Sequence, residues 1–91
     1  MTIDHQANGV FEYFDLNEGM WCGALCRYTV AGLSTIIEHT GSVTVAETLR
    51  RDPPKEIRIN GESRLVYGFV SRNKNGNVQI AVMKQKEDYN L

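Results

Sequence analysis

The chain has 91 residues, 42% of them hydrophobic and 23% charged, with a formal net charge of -1. A single domain of this size buries roughly two thirds of its unfolded surface, enough for one modest core. Asp4, Glu12, Asp15 and Glu18 interrupt the N-terminal region, leaving no apolar run suited to a secretory signal or a membrane span, so the expectation is a cytoplasmic protein with reduced thiols.

Charge is unevenly spread. Residues 1–40 carry one base and five acids, residues 41–86 nine bases and four acids, and residues 87–91 two acids, Glu87 and Asp88. Such a dipolar split suits an anion-binding half or a molecule that orients against a partner or a second copy of itself.

Residues 1–8 read as a flexible N-terminal segment. A hairpin then turns at Asn17-Glu18-Gly19. A three-residue loop there sets Phe14 opposite Cys22, Leu16 opposite Met20 and Val10 opposite Cys26, with Phe11 opposite Leu25 and Asp15 opposite Trp21 on the other face.

The second strand, MWCGALCRYTV, holds both cysteines and the only tryptophan. Its CxxxC spacing fits neither the CxxC of thiol redox sites nor the paired CxxC sets of structural zinc. In a strand the two residues lie about 13 Å apart, beyond the roughly 7 Å Cα limit for a disulfide. They read as buried thiols on the uninterrupted apolar face Met20, Cys22, Ala24, Cys26, Tyr28, Val30. A two-residue turn at Ala31-Gly32 would put His39 opposite Ala24 and diagonal to both cysteines, the geometry a Cys-His nucleophile pair needs. No third residue to orient such a pair is evident.

With His39-Thr40-Gly41 as another three-residue loop, Ile37 faces Val43 and Thr35 faces Val45. The same segment carries two patterns. Val43, Val45 and Leu49 recur at strand spacing, while a capping-box pattern from Thr44 to Glu47, followed by good helix formers and stopped by Pro53-Pro54, predicts a short helix near 44–51.

In EIRINGESRL, a three-residue loop at Ile59-Asn60-Gly61 pairs Arg58 with Glu62 and Glu56 with Arg64. It places Ile57 on one face with Leu65, Tyr67 and Phe69. A type I′ turn at Asn75-Gly76 then sets Phe69 opposite Val82 and Ser71 opposite Ile80, with Val70 opposite Ala81 and Arg72 opposite Gln79. Residues 87–91 read as a flexible tail. The whole predicts one domain over 1–91, mainly β, an antiparallel meander of about six or seven strands that curls into a small barrel or a two-layer sandwich, with α+β as the alternative class.

No phosphate-loop glycine pattern occurs, and two histidines and two cysteines do not make a zinc set, so no cofactor or metal is expected. YGFV, at 67–70, coincides with the centre of the RNP1 pattern of RNA-recognition motifs. Leu65-Val66 stands where a basic-Gly pair belongs, however, and Arg72 where an aromatic belongs.

The second face of the sheet is less ordinary, because it is partly apolar where a one-sided sheet would be polar. Phe11, Tyr13, Trp21 and Leu25 lie there, as do Val66, Val70 and Met83, with Arg27 and Arg72 as suitable rim residues. These nine form a candidate protein interface, since aromatics dominate interface hot spots. The leading expectation is a non-enzymatic binding module, a regulator, inhibitor or adaptor of the phage or mobile-element type by analogy alone, whose partner is another protein or a second copy. The alternative is a small barrel that binds nucleic acid through Arg50, Arg51, Lys55, Arg72 and Lys74, and a thiol enzyme using Cys22 or Cys26 with His39 comes third.

Overall fold

The computed structural model describes residues 5–85 and residue 88. Seven elements follow in order: β1 (His5–Asp15), β2 (Met20–Ala31), β3 (Ser34–His39), α1 (Val43–Arg51), β4 (Glu56–Ile59), β5 (Glu62–Val70) and β6 (Gln79–Met83). The six strands close into a barrel in the order β1, β2, β3, β6, β5, β4, with every pairing antiparallel. The fold is therefore the predicted small barrel with one short helix. It consists of two three-stranded meanders joined by α1 and zipped together at β3 with β6 and at β1 with β4. Closure leaves few unpaired strand edges and a single interior to fill.

The first hairpin departs from its predicted register. Asp15 pairs with Met20, so the loop is the four residues 16–19. The reason is local: the Asp15 carboxylate accepts the N–H groups of Asn17 (2.8 Å) and Glu18 (3.1 Å), and Gly19, at φ +67°, donates to the Asp15 carbonyl (2.8 Å). An aspartate that caps its own turn lengthens the loop by one residue, and a one-residue shift turns the whole strand over. Phe11 and Tyr13 consequently point into the barrel, opposite Ala24 and Cys22, while Val10 and Phe14 point out. β1 also takes in His5 to Asn8, part of the 1–8 segment that the sequence predicts to be flexible; residues 1–4 lie outside the described residues.

Between β2 and β3 the turn is Gly32-Leu33, with Ala31 opposite Ser34, rather than Ala31-Gly32. Beyond His39 there is no third hairpin. Ser42 caps α1 by accepting the Val45 N–H (3.2 Å), and Ala46 and Leu49 are the helix residues that become buried. Of the two patterns in 44–51 the helical one wins, with its cap two residues ahead of Thr44. Arg50 and Arg51 suit the negative end of the helix dipole.

The β4–β5 turn is the two-residue Asn60-Gly61, both at positive φ (52° and 79°), so Ile59 faces Glu62 and Ile57 faces Arg64. The predicted pairs of Arg58 with Glu62 and Glu56 with Arg64 do not form. Charge matching was misleading there, because Arg64 is not on the surface. It lies inside the barrel on the same face as Ile57 and Ile59, in an ion pair with Asp88 at 2.8 Å, and the side chains are only 2% and 1% accessible. Of the tail 87–91 only Asp88 is described, and it is buried.

β5 and β6 are joined by residues 71–78 rather than by a two-residue turn, and Phe69 faces Ile80. Asn73 knots this longer loop: its side-chain oxygen accepts the Asn75 and Asn77 N–H groups, and its backbone bonds with Asn77 and Gly76. An irregularity between Val66 and Gly68 takes Tyr67 out of the ladder. Tyr67 is 56% exposed and its hydroxyl meets that of Ser34, whereas Phe69 packs against the core. The predicted inward tyrosine is thus an outward one. Leu65, placed by the sequence with Ile57, is also exposed.

The core gathers Phe11, Tyr13, Cys26, Tyr28, Ile37, Leu49, Ile57, Ile59, Val78, Ile80 and Val82. Tyr28 crosses under β1, donating its hydroxyl to the Val10 carbonyl, and its ring leaves no room for a side chain at Gly9, where a Cβ would stand 2.4 Å away.

Candidate functional site

The register change divides the nine candidate interface residues. Phe11 and Tyr13 are buried in the core, and Val66, on β5, is half-buried against it; β1, turned over by its own turn aspartate, cannot present the two aromatics to a partner. Trp21, Leu25, Arg27, Val70, Arg72 and Met83 stay at the surface. They do not form one patch. Val70, Gln79, Glu38 and Arg27 succeed each other across β5, β6, β3 and β2, so polar residues stand between Val70 and the apolar surface of β1 and β2, and Met83 pairs with Ser34 at the other end of β6. Arg27 is engaged with Glu38 at 3.8 Å. Asn73, Asn75 and Asn77 all donate side-chain N–H to the Glu38 Oε2 at 3.0, 3.1 and 2.8 Å, which holds its carboxyl below the usual range.

On the β1–β2 side a cleft of about 600 Å³ is lined by Phe14, Leu16, Trp21 and residues 51–56. Each wall follows from a local rule. The four-residue turn carries Phe14 and Leu16 outward beside Trp21, and Phe14 meets the indole edge to face with ring centroids 5.7 Å apart. Pro53 and Pro54, which stop α1, form the facing wall with Arg51, Asp52, Lys55 and Glu56. The Arg58 guanidinium sits 3.9 Å from the indole ring centroid, a cation–π contact that keeps Trp21 in place. The sequence pointed to Trp21 but missed Phe14, Leu16 and the two prolines. In the sequence the prolines are legible only as a helix stop, and the three-residue loop predicts Phe14 on the inner face, whereas it points outward.

The five candidate nucleic-acid contacts are only partly available. Arg50 is committed to structure, donating from Nε to the Ser71 carbonyl (2.7 Å) and from Nη2 to the Gly76 carbonyl (3.0 Å). It fastens the end of α1 to the loop that carries Arg72 and Lys74. Arg51 lies 3.7 Å from Asp52 and, with Lys55, lines the cleft; Arg72 and Lys74 are exposed on the loop.

Cys26 stands directly opposite His39, one pair closer than expected. Both are buried, and the His39 Nε2 has no hydrogen-bond partner among the described residues. Burial pushes the Cys26 thiol up to about 11, against hydrogen bonds with Tyr28 and the Phe11 backbone that pull it down. Burial first, and the charge of Arg50 second, lower the pKa of His39. Both shifts favour the uncharged thiol and imidazole, whereas a nucleophile pair needs thiolate. Among the described residues no group of three or more His, Cys, Asp or Glu side chains is placed to hold a metal, and no helix is long and apolar enough to cross a membrane.

His39 has a further consequence. Its folded pKa lies below the ordinary value of 6.5, so on acidification the unfolded chain takes up the proton first. Stability should fall as the pH drops below about 6.5 until the folded pKa is reached. Urea midpoints between pH 7.5 and pH 5 measure this. His39→Gln should flatten the profile over that interval; an unchanged slope would assign the titration to another group.

No family model, curated protein or solved structure matches the chain.

Proposed function

We propose that the chain is a small non-enzymatic binding module that works by protein–protein contact, a regulator, inhibitor or adaptor whose anchor is Trp21. The observation that carries this reading is the cleft itself. An indole fixed from one side by Phe14 and covered by Arg58 faces two prolines across about 600 Å³. Such a residue offers a large apolar surface and loses little side-chain freedom on binding, because its neighbours already hold it. Arg51, Lys55, Asp52 and Glu56 at the rim carry both signs of charge, which suits orienting a protein partner.

Trp21→Ala is the direct test. A partner captured from the source lysate by the intact chain and retained after nuclease treatment should bind the variant roughly 30-fold more weakly, as loss of a hot spot of about 2 kcal/mol requires. Unfolding stability should fall by about 2–3 kcal/mol, from the covered part of the half-buried indole together with the aromatic and cation–π contacts removed. A partner held equally well by Trp21→Ala would remove the cleft from the mechanism.

A nucleic-acid reading draws on one feature, the Arg50 fastening that sets Arg72 and Lys74 beside the end of α1. Its mark would be a bound species that nuclease removes and whose affinity falls steeply with salt.

A further inference from the structure

The interior of a small barrel is ordinarily filled with apolar side chains, and a guanidinium there needs an anion. Arg64 projects inward from β5, opposite Ile57, and Asp88 answers it. The geometry is a two-pronged fork: Nη1 donates to Asp88 Oδ2 at 3.0 Å and Nη2 to Oδ1 at 2.8 Å. From β3 the buried Thr35 hydroxyl donates to the same Oδ2, and the Gln85 N–H reaches it at 3.2 Å. The third edge of the guanidinium is held too. With its amide turned to satisfy both neighbours, Gln85 accepts from Arg64 Nε at 3.3 Å and donates to Glu62 at 2.9 Å.

The two halves of this arrangement have different origins. Arg64 and Thr35 belong to strands of the closed barrel, β5 and β3. The carboxylate comes from beyond β6, and the Asp88 N–H bonds to the Gln85 carbonyl. Without that carboxylate the wall would present one full positive charge and one hydroxyl donor to a low-dielectric interior. A planar fork with a hydroxyl beside it matches the two in-plane oxygens of a carboxylate better than a tetrahedral oxyanion or a halide.

We propose that the barrel wall at Arg64 and Thr35 is a carboxylate-binding pocket, that Asp88 is its tethered occupant, and that a small monocarboxylate binds there when the Asp88 side chain is removed. The tether gives Asp88 a high effective concentration, so the intact chain should not respond to added carboxylate at moderate concentration. The pocket is separate from the Trp21 cleft, and its test is independent of that reading.

The experiment is thermal unfolding of Asp88→Ala in sodium formate and in sodium chloride at equal ionic strength, beside the intact chain and the double variant Arg64→Met/Asp88→Ala. For Asp88→Ala the midpoint should rise with formate well above its value in chloride and level off as the site fills. The intact chain and the double variant should show no difference between the two salts. If Asp88→Ala does not fold in chloride, the same comparison is read by circular dichroism, with recovery of the β signal in formate and not in chloride as the expected result. Equal behaviour of Asp88→Ala in formate and chloride, or an equal formate effect in the double variant, would overturn the proposal.

Discussion

Arg64→Ala should lower the unfolding free energy by about 3–5 kcal/mol, because it leaves the Asp88 carboxylate buried without its counter-ion. That is a large share of the roughly 5–14 kcal/mol expected for a domain of this length, so urea unfolding near pH 7 should show it plainly. The effect belongs to the broken pair rather than to the charge as such. Arg64→Met combined with Asp88→Leu, which removes both partners, should recover most of the loss.

Acid adds a second check. Burial alone would raise the pKa of Asp88, but its hydrogen bonds with Arg64, Thr35 and Gln85 and the charge of Arg64 outweigh burial and hold it below the ordinary 3.8. The unfolded chain therefore takes up that proton first as the pH falls, and the intact protein should lose stability from about pH 5 downward. Arg64→Ala should lose less over the same interval, because Asp88 in that variant is no longer held ionised. A loss below about 1 kcal/mol with an unchanged acid profile would place Arg64 outside the interior.

Phe11→Ala should cost about 3–5 kcal/mol and Phe14→Ala only about 1 kcal/mol. Phe11 is fully buried, whereas Phe14 is 44% exposed and chiefly meets Trp21. The comparison decides the register of the first hairpin. A three-residue loop would reverse the order, since it turns Phe14 inward and Phe11 outward. Urea midpoints of the two variants, with the slopes compared to confirm a common unfolded state, are sufficient. The same pair bears on function, because Phe14→Ala removes one wall of the cleft while sparing the core.

Much of the architecture was legible in the local pattern. Alternating apolar residues in MWCGALCRYTV mark a strand whose inner face holds Ala24, Cys26, Tyr28 and Val30, and this is the face the barrel buries. Glycine and asparagine at the turns mark where the chain reverses, and Pro53-Pro54 mark where α1 must stop. Hairpin registers were harder. The first and the β4–β5 loops each differ from the expected length by one residue, the last connection runs over residues 71–78, and the deciding contacts in the first and last come from side chains that bond their own turn, Asp15 and Asn73. Trp21 was found because its direction relative to the cysteines survives a shift of β1. Phe11 and Tyr13 were misplaced because theirs does not.

By itself the sequence determined a small, mainly β fold that turns at its glycines, carries a short helical pattern before Pro53, and directs Trp21 away from the Cys26 face. These features are local, set by side-chain period, turn chemistry and capping. Tertiary structure alone decided which residues of β1 face inward, that Arg64 is a core residue, and that Pro53 and Pro54 stand across a cleft from Trp21. Each of these depends on groups distant in the chain: Asp88 lies 24 residues from Arg64, and the charge pattern around Arg64 taken locally favoured Glu56 instead. A buried ion pair follows from burial, and burial is a property of the closed barrel rather than of any one segment.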